Sequence, residues 1–143
     1  MKREQQRLFR EFEHTGDAGV EVEASSRPEL FARAALAMAR LMVEEHGIVP
    51  AEQREVEASG TDDANKLHDL LAAALSIFLL DGFIWCDAKA REENDRVVLT
   101  LAGERFDRKR HVLLGEIKAV TYHQLSVTQT AAGGWCARII FDI

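Results

Sequence analysis

The chain has 143 residues, close to the common size of one domain, and a polypeptide of that length buries about 70% of its unfolded surface without staples. Hydrophobic residues at 47% and charged residues at 29% exclude a disordered, collagen-like or fibrous chain, and 2 Pro with 9 Gly leave little room for long linkers. Eighteen Lys and Arg against 24 Asp and Glu give a net charge of −6, a surface that repels a nucleic-acid backbone, so tight direct RNA or DNA binding is not expected.

The N-terminus, Met1-Lys2-Arg3-Glu4-Gln5-Gln6-Arg7, is charged and lacks the apolar stretch of a secretory signal. Residues 8–12 form a short, partly apolar run. His14-Thr15-Gly16-Asp17-Ala18-Gly19 then supplies turn chemistry, and residues 20–24 alternate with period two, so strand, turn, strand is the reading. Ser26 and Glu29 have capping-box spacing with Pro28 between them. Leu30, Phe31, Ala34, Ala35, Met38, Leu41 and Met42 recur at helical spacing after that cap, which predicts a helix ending near His46-Gly47.

Residues 53–59 alternate again, Val56 and Ala58 against Glu55 and Glu57, as a strand with one exposed face. Thr61-Asp62-Asp63 caps a second, more apolar helix through Leu67, Leu70, Leu71, Ala74, Leu75, Phe78 and Leu79, closed by Gly82. Residues 84–91 and 96–101 flank a polar turn as a hairpin, and residues 117–128 and 135–142 flank Ala131-Ala132-Gly133-Gly134 as another. No β-α-β alternation and no dinucleotide-type glycine fingerprint is present. The expected fold is α+β, a single domain over residues 1–143 in which a mixed or antiparallel sheet packs against two helices.

Neither Cys86 nor Cys136 belongs to a CxxC or Cys/His run, which predicts ordinary strand cysteines in a reducing compartment. The longest apolar run, residues 70–80, is too short to cross a membrane. A cytoplasmic protein without a membrane partner is expected.

Three places hold candidate chemistry. In the first turn, Gly16 and Gly19 let the backbone aim the Asp17 carboxylate and nearby carbonyls at one point beside His14 and Thr15; the plainer alternative is an Asx-type turn with a surface histidine. In residues 117–128, strand parity places Thr121 and His123 with Ile117, Ala119 and Leu125, near Lys118 and Tyr122, where a histidine serves either as a ligand or as a hydrogen-bonded core residue. At the end, Asp142 lies beside the carboxylate of Ile143, two oxygen donors suited to a hard cation such as Ca²⁺ or Mg²⁺, with Mn²⁺ or Zn²⁺ admitted by a nearby histidine. Otherwise Asp142 pairs with Arg138 or sits in water. The basic run Asp107-Arg108-Lys109-Arg110-His111 reads as a solvated loop, or as a docking site for an acidic partner or a phosphate. No GxSxG, P-loop or Cys–His pair suggests a nucleophile.

Taken together, these stretches resemble the archease family. The matching residues are Phe12 to Val20, Gly103 to Asp107 with Arg110-His111, Ile117-Lys118-Ala119-Val120-Thr121-Tyr122-His123, and Trp135 to Ile143. Gly16, Ala18 and Arg105 depart from the usual Ala, Ile and Pro. The resemblance implies a non-catalytic cofactor of an RtcB-type RNA ligase, which promotes guanylylation and multiple turnover in tRNA splicing or RNA repair. It also implies a divalent-metal site on Asp17, Asp142 and Ile143, with Ca²⁺ expected in vitro and Mn²⁺ or Mg²⁺ as alternatives. His14, Lys118 and His123 are then orienting groups or partner contacts. Two other functions compete: a chaperone or modulator of another RNA-processing enzyme such as a tRNA methyltransferase, and, more weakly, a metal-dependent hydrolase built on Asp17, Asp142 and a histidine base.

Overall fold

Ser26 begins the first helix as the sequence predicts. Its backbone is extended at φ −140°, and its hydroxyl accepts the Glu29 N–H at 3.3 Å. The Glu29 carboxylate, however, reaches back to the N–H and hydroxyl of Ser25 at 3.4 and 3.3 Å, one residue earlier than a capping box places it. The computed structural model in which this is seen describes residues 8–14 and 16–143, with the side chains of Glu13 and His14 outside that description.

This helix, α1, spans Arg27–Met42 and stops short of the predicted end near His46-Gly47. The cause is competition for its last turn. Val43 is extended and bridges to Leu113, the Leu114 N–H donates to Met42 O at 2.8 Å, and the Glu44 N–H donates to Val112 O at 2.9 Å. The second helix, α2, spans Asp63–Asp81; Asp62 accepts from the N–H groups of Ala64 and Asn65, and Gly82 closes it in the left-handed conformation at φ 69°.

The strands form two antiparallel sheets where the sequence reading had one. The first comprises β1 (Arg10–His14), β2 (Asp17–Ala24), β6 (Ala119–Val120), β7 (Ser126–Gln129) and β8 (Trp135–Asp142), in the order β1-β2-β8-β6 with β7 also paired to β8. The second orders β3 (Glu52–Ser59), β5 (Arg96–Arg105) and β4 (Phe83–Glu93) as β3-β5-β4. Gly103 in β5 lies so close to β4 that a Cβ there would meet Ile84 O at 1.8 Å, next to the register shift at Trp85/Asp87. The α+β class stands, with two helices against antiparallel sheets.

Residues 117–128 are not one strand. Only Ala119–Val120 and Ser126–Gln129 pair with β8, and between them Gln124 turns the chain at φ 52°. The predicted shared face is lost with it: Ile117 and Val120 are buried, whereas Ala119 and His123 are exposed.

α1 packs against both sheets, and α2 packs on β3, α1 and β6. Leu30, Phe31 and Met38 of α1 meet Val20, Val22, Ile139 and Phe141 of one sheet and Phe83, Trp85, Leu99 and Leu101 of the other in one core. Each such side chain contributes about 1.5–3 kcal/mol on burial. The Trp85 Nε1–H donates to Ala35 O at 3.0 Å, which satisfies its one polar atom. Cys86 and Cys136 are unbridged on β4 and β8, and burial pushes both thiols up, away from the reactive thiolate. No helix among the described residues is long and apolar enough to cross a membrane.

Candidate functional site: an acidic tip across two strands

The β2–β8 ladder decides what stands where. Ala18↔Phe141, Val20↔Ile139 and Val22↔Ala137 alternate with Asp17↔Asp142, Gly19↔Ile140 and Glu21↔Arg138. Apart from the half-buried Ala18, the first set joins the core, so period two sends the second to the opposite face. Asp17 and Asp142, 125 positions apart in the chain, are therefore direct cross-strand partners on one face at the end of the ladder. Side chains so placed have Cβ atoms about 4.5–5.5 Å apart. In the flanking strands His14 stands opposite Asp17 and Ala119 opposite Asp142, giving the row His14, Asp17, Asp142, Ala119.

Local chemistry holds the row in place. Gly16 takes φ 73° in the β1–β2 turn, a conformation that suits glycine. Thr15 and the His14 side chain, both singled out from the sequence, lie outside the described residues. On the far side the Lys118 N–H donates to Asp142 O at 2.7 Å, and the Thr121 N–H and hydroxyl both donate to Ile140 O, at 3.1 and 2.8 Å. Lys118 is exposed, and Ile143, 47% exposed, follows Asp142 directly. His123 is exposed in the β6–β7 turn, where its N–H donates to Thr121 Oγ1 at 3.2 Å.

Arg138 does not pair with Asp142, the alternative the sequence offered. It donates to Glu21 at 2.7 Å and to Gln124 at 3.3 Å, and its guanidinium lies 3.8 Å from the centre of the Phe12 ring. Phe12 in turn covers Gly19, where a Cβ would meet the ring at 2.3 Å. Hydrogen bonds from Arg10, with further help from Arg138, hold the Glu21 carboxyl below its usual range. Arg10 and Arg138 thus both serve Glu21. Among the described residues no group of three or more His, Cys, Asp or Glu is arranged to hold a metal by itself.

The basic run is not simply a solvated loop. His111 is only 3% exposed; its Nδ1 accepts the Asp107 N–H at 2.9 Å, so the hydrogen sits on Nε2, which faces Glu104 at 3.0 Å and Gly47 O at 3.2 Å. Arg110 grips Glu104 with both terminal nitrogens, at 3.2 and 2.6 Å, and the Val49 N–H donates to the same carboxylate at 2.7 Å. These bonds hold the Glu104 carboxyl down at about 2. The node ties the loop after α1 to the end of β5, a structural task for residues that matched the family motif.

Sequence reasoning missed His68. It stands on α2 with Nε2 3.0 Å from Val120 O and Nδ1 3.1 Å from Asp69 Oδ1, and its ring stacks on Tyr122. The available signal was a histidine beside Leu67 in the first half of the helix; Val120 and Tyr122, more than fifty residues away, were not visible in the spacing.

Comparison with known proteins agrees with this architecture. Residues 9–143 match the model of the Archease protein family. "Protein archease" of Methanopyrus kandleri is 34% identical over 139 residues, covering 94% of this chain and 99% of that protein. Its counterpart in Thermococcus gammatolerans is 30% identical over 141 residues, covering 96% and 99%. The solution structure of Methanobacterium thermoautotrophicum protein 1598 superposes with a TM-score of 0.81 at 30% identity, covering 96% of this chain and 99% of that one.

Proposed function

The chain belongs to the archease family, and on that premise we propose that it is a non-catalytic activator of an RtcB-type RNA ligase in tRNA splicing or RNA repair. The observation that carries the proposal is the direct pairing of Asp17 with Asp142. Like charges directly opposite on a sheet are destabilising. The pair is not needed for the core, which lies on the other face; the tip is better explained by what it meets.

A divalent cation is one such group, and the donors present suit it. Asp17, Asp142 and a main-chain oxygen of Ile143 are hard oxygen ligands, appropriate to Ca²⁺ in vitro and to Mn²⁺ or Mg²⁺. Three donors are fewer than these ions take, so water or the partner supplies the rest. When bound, the ion supplies positive charge at the ligase site. The chain's own residues hold the two carboxylates in fixed register, and His14, Lys118 and His123 orient them or contact the partner. Activation follows if the tip favours the ligase conformation competent for nucleotide transfer over the others. The chain itself performs no chemistry in this scheme, and it works in the cytoplasm.

The test is guanylylation of the cognate ligase with GTP and Mn²⁺, followed as covalent ligase–GMP. The chain should raise its rate or extent, and an unchanged time course would overturn the proposal. One observation favours a second reading, a chaperone or modulator of another RNA-processing enzyme such as a tRNA methyltransferase. Val112, Leu113 and Leu114 are three consecutive apolar residues each more than half exposed. Suppression of client aggregation that survives Asp17→Ala and is lost in Leu113→Ser would support that reading.

A further inference from the structure

Tyr122 combines two properties that usually exclude each other. It is 61% exposed, yet its ring is fixed, stacked on His68 with centroids 3.8 Å apart and planes inclined by 16°. An aromatic ring left in solvent contributes little to the core, whereas one already held in place loses little freedom on meeting a partner. Tyrosine is also among the residues that dominate protein interfaces.

The ring is carried by the segment that flanks the acidic tip. Tyr122 follows Val120 by two residues, and in the β6–β8 ladder Val120 faces Phe141 while Ala119 faces Asp142. β6 is the outer strand of the β1-β2-β8-β6 path, and it pairs over two residues only. Its outward carbonyl, Val120 O, is taken by His68 Nε2 at 3.0 Å, and Nδ1 of the same ring lies 3.1 Å from Asp69 Oδ1. One imidazole thus anchors the short strand that backs Asp142 and stacks on the tyrosine.

We propose that Tyr122 is the aromatic anchor by which the acidic tip docks on its protein partner, and that His68 is the positioning residue that holds the ring ready. The inference rests on the activator reading above, and its occupant is the basic, RNA-handling site of the ligase. Charge complementarity selects that surface: a chain of net charge −6 with two aspartates at its tip fits a site whose cations otherwise meet RNA phosphates. The negative face of the tyrosine ring suits a guanidinium from the same site.

The experiment uses the full chain and the cognate ligase, with direct binding affinity and stimulation of ligation both titrated. Tyr122→Ala should raise the dissociation constant and the half-maximal concentration roughly tenfold, leave the stimulation at saturation intact, and barely change the melting temperature. His68→Ala should weaken docking similarly, and His68→Phe, which keeps a stacking ring without the Val120 bond, should recover most of it. Wild-type affinity in Tyr122→Ala would overturn the anchor, and failure of His68→Phe to recover binding would overturn the positioning role. A wild type that binds without stimulating would overturn the activator reading while the affinities still decide the anchor; a wild type that does not bind the active ligase would overturn both.

Discussion

Asp17 and Asp142 stand directly opposite each other across β2 and β8, so that the start of one strand and the end of the other meet in a pair of like charges. Such a pair costs a few tenths to about 1 kcal/mol relative to a neutral one. Asp142→Asn should therefore leave the melting temperature unchanged or slightly raised while abolishing ligase stimulation. A variant that loses both stability and stimulation would make Asp142 a structural residue. Thermal unfolding beside the ligation assay separates the two.

Divalent metal should raise the melting temperature of the wild type by preferential binding to the native state, a stabilisation of about 2.7 kcal/mol at a hundred times the dissociation constant. In Asp17→Ala the shift should be much smaller. Titrating Ca²⁺ and Mn²⁺ against both proteins checks this, and equal shifts would place the ion elsewhere.

Glu104 sets an acid limit. Its carboxyl is held at about 2, against an ordinary value of 4.5, first by Arg110 and then by the Val49 N–H. A depressed carboxylate stabilises the fold fully above the unfolded value and loses that contribution as pH falls through the folded one. Stability should therefore decline between about pH 4.5 and about 2, and Glu104→Gln should be less stable at neutral pH with a shallower acid limb. Denaturant midpoints measured across that window test it.

Two glycines should differ in how severely alanine is tolerated. At Gly103 the new methyl meets main-chain Ile84 O at 1.8 Å, whereas at Gly19 it meets the Phe12 ring at 2.3 Å, a side chain able to rotate. Overpacking of this kind costs about 1–3 kcal/mol and occasionally more. Gly103→Ala should lie at the upper end or fail to fold, with Gly19→Ala milder, as read from urea unfolding.

Much of this was legible in the sequence for local reasons. The Ser26 and Asp62 caps, the Gly82 stop and the β4–β5 hairpin depend on residues within a few positions of each other. The motif stretches also contained both aspartates of the tip. What escaped depended on distant neighbours. The end of α1 is set by Leu113 and Leu114, and the 117–128 segment breaks where Gln124 turns the chain between two short pairings with β8. Arg138 looked like a partner for Asp142 by alternation along one strand, but Glu21 stands directly across from it. His111 looked solvated by its basic neighbours and proved buried against Glu104.

The central claim is most directly tested by multiple-turnover RNA ligation with the cognate RtcB-type ligase, GTP and Mn²⁺, without the chain, with it, and with Asp17→Ala at equal concentration. The account predicts strong stimulation by the wild type and little by the variant. Equal stimulation by both would contradict the acidic tip, and no stimulation by the wild type of a demonstrably active ligase would contradict the function itself.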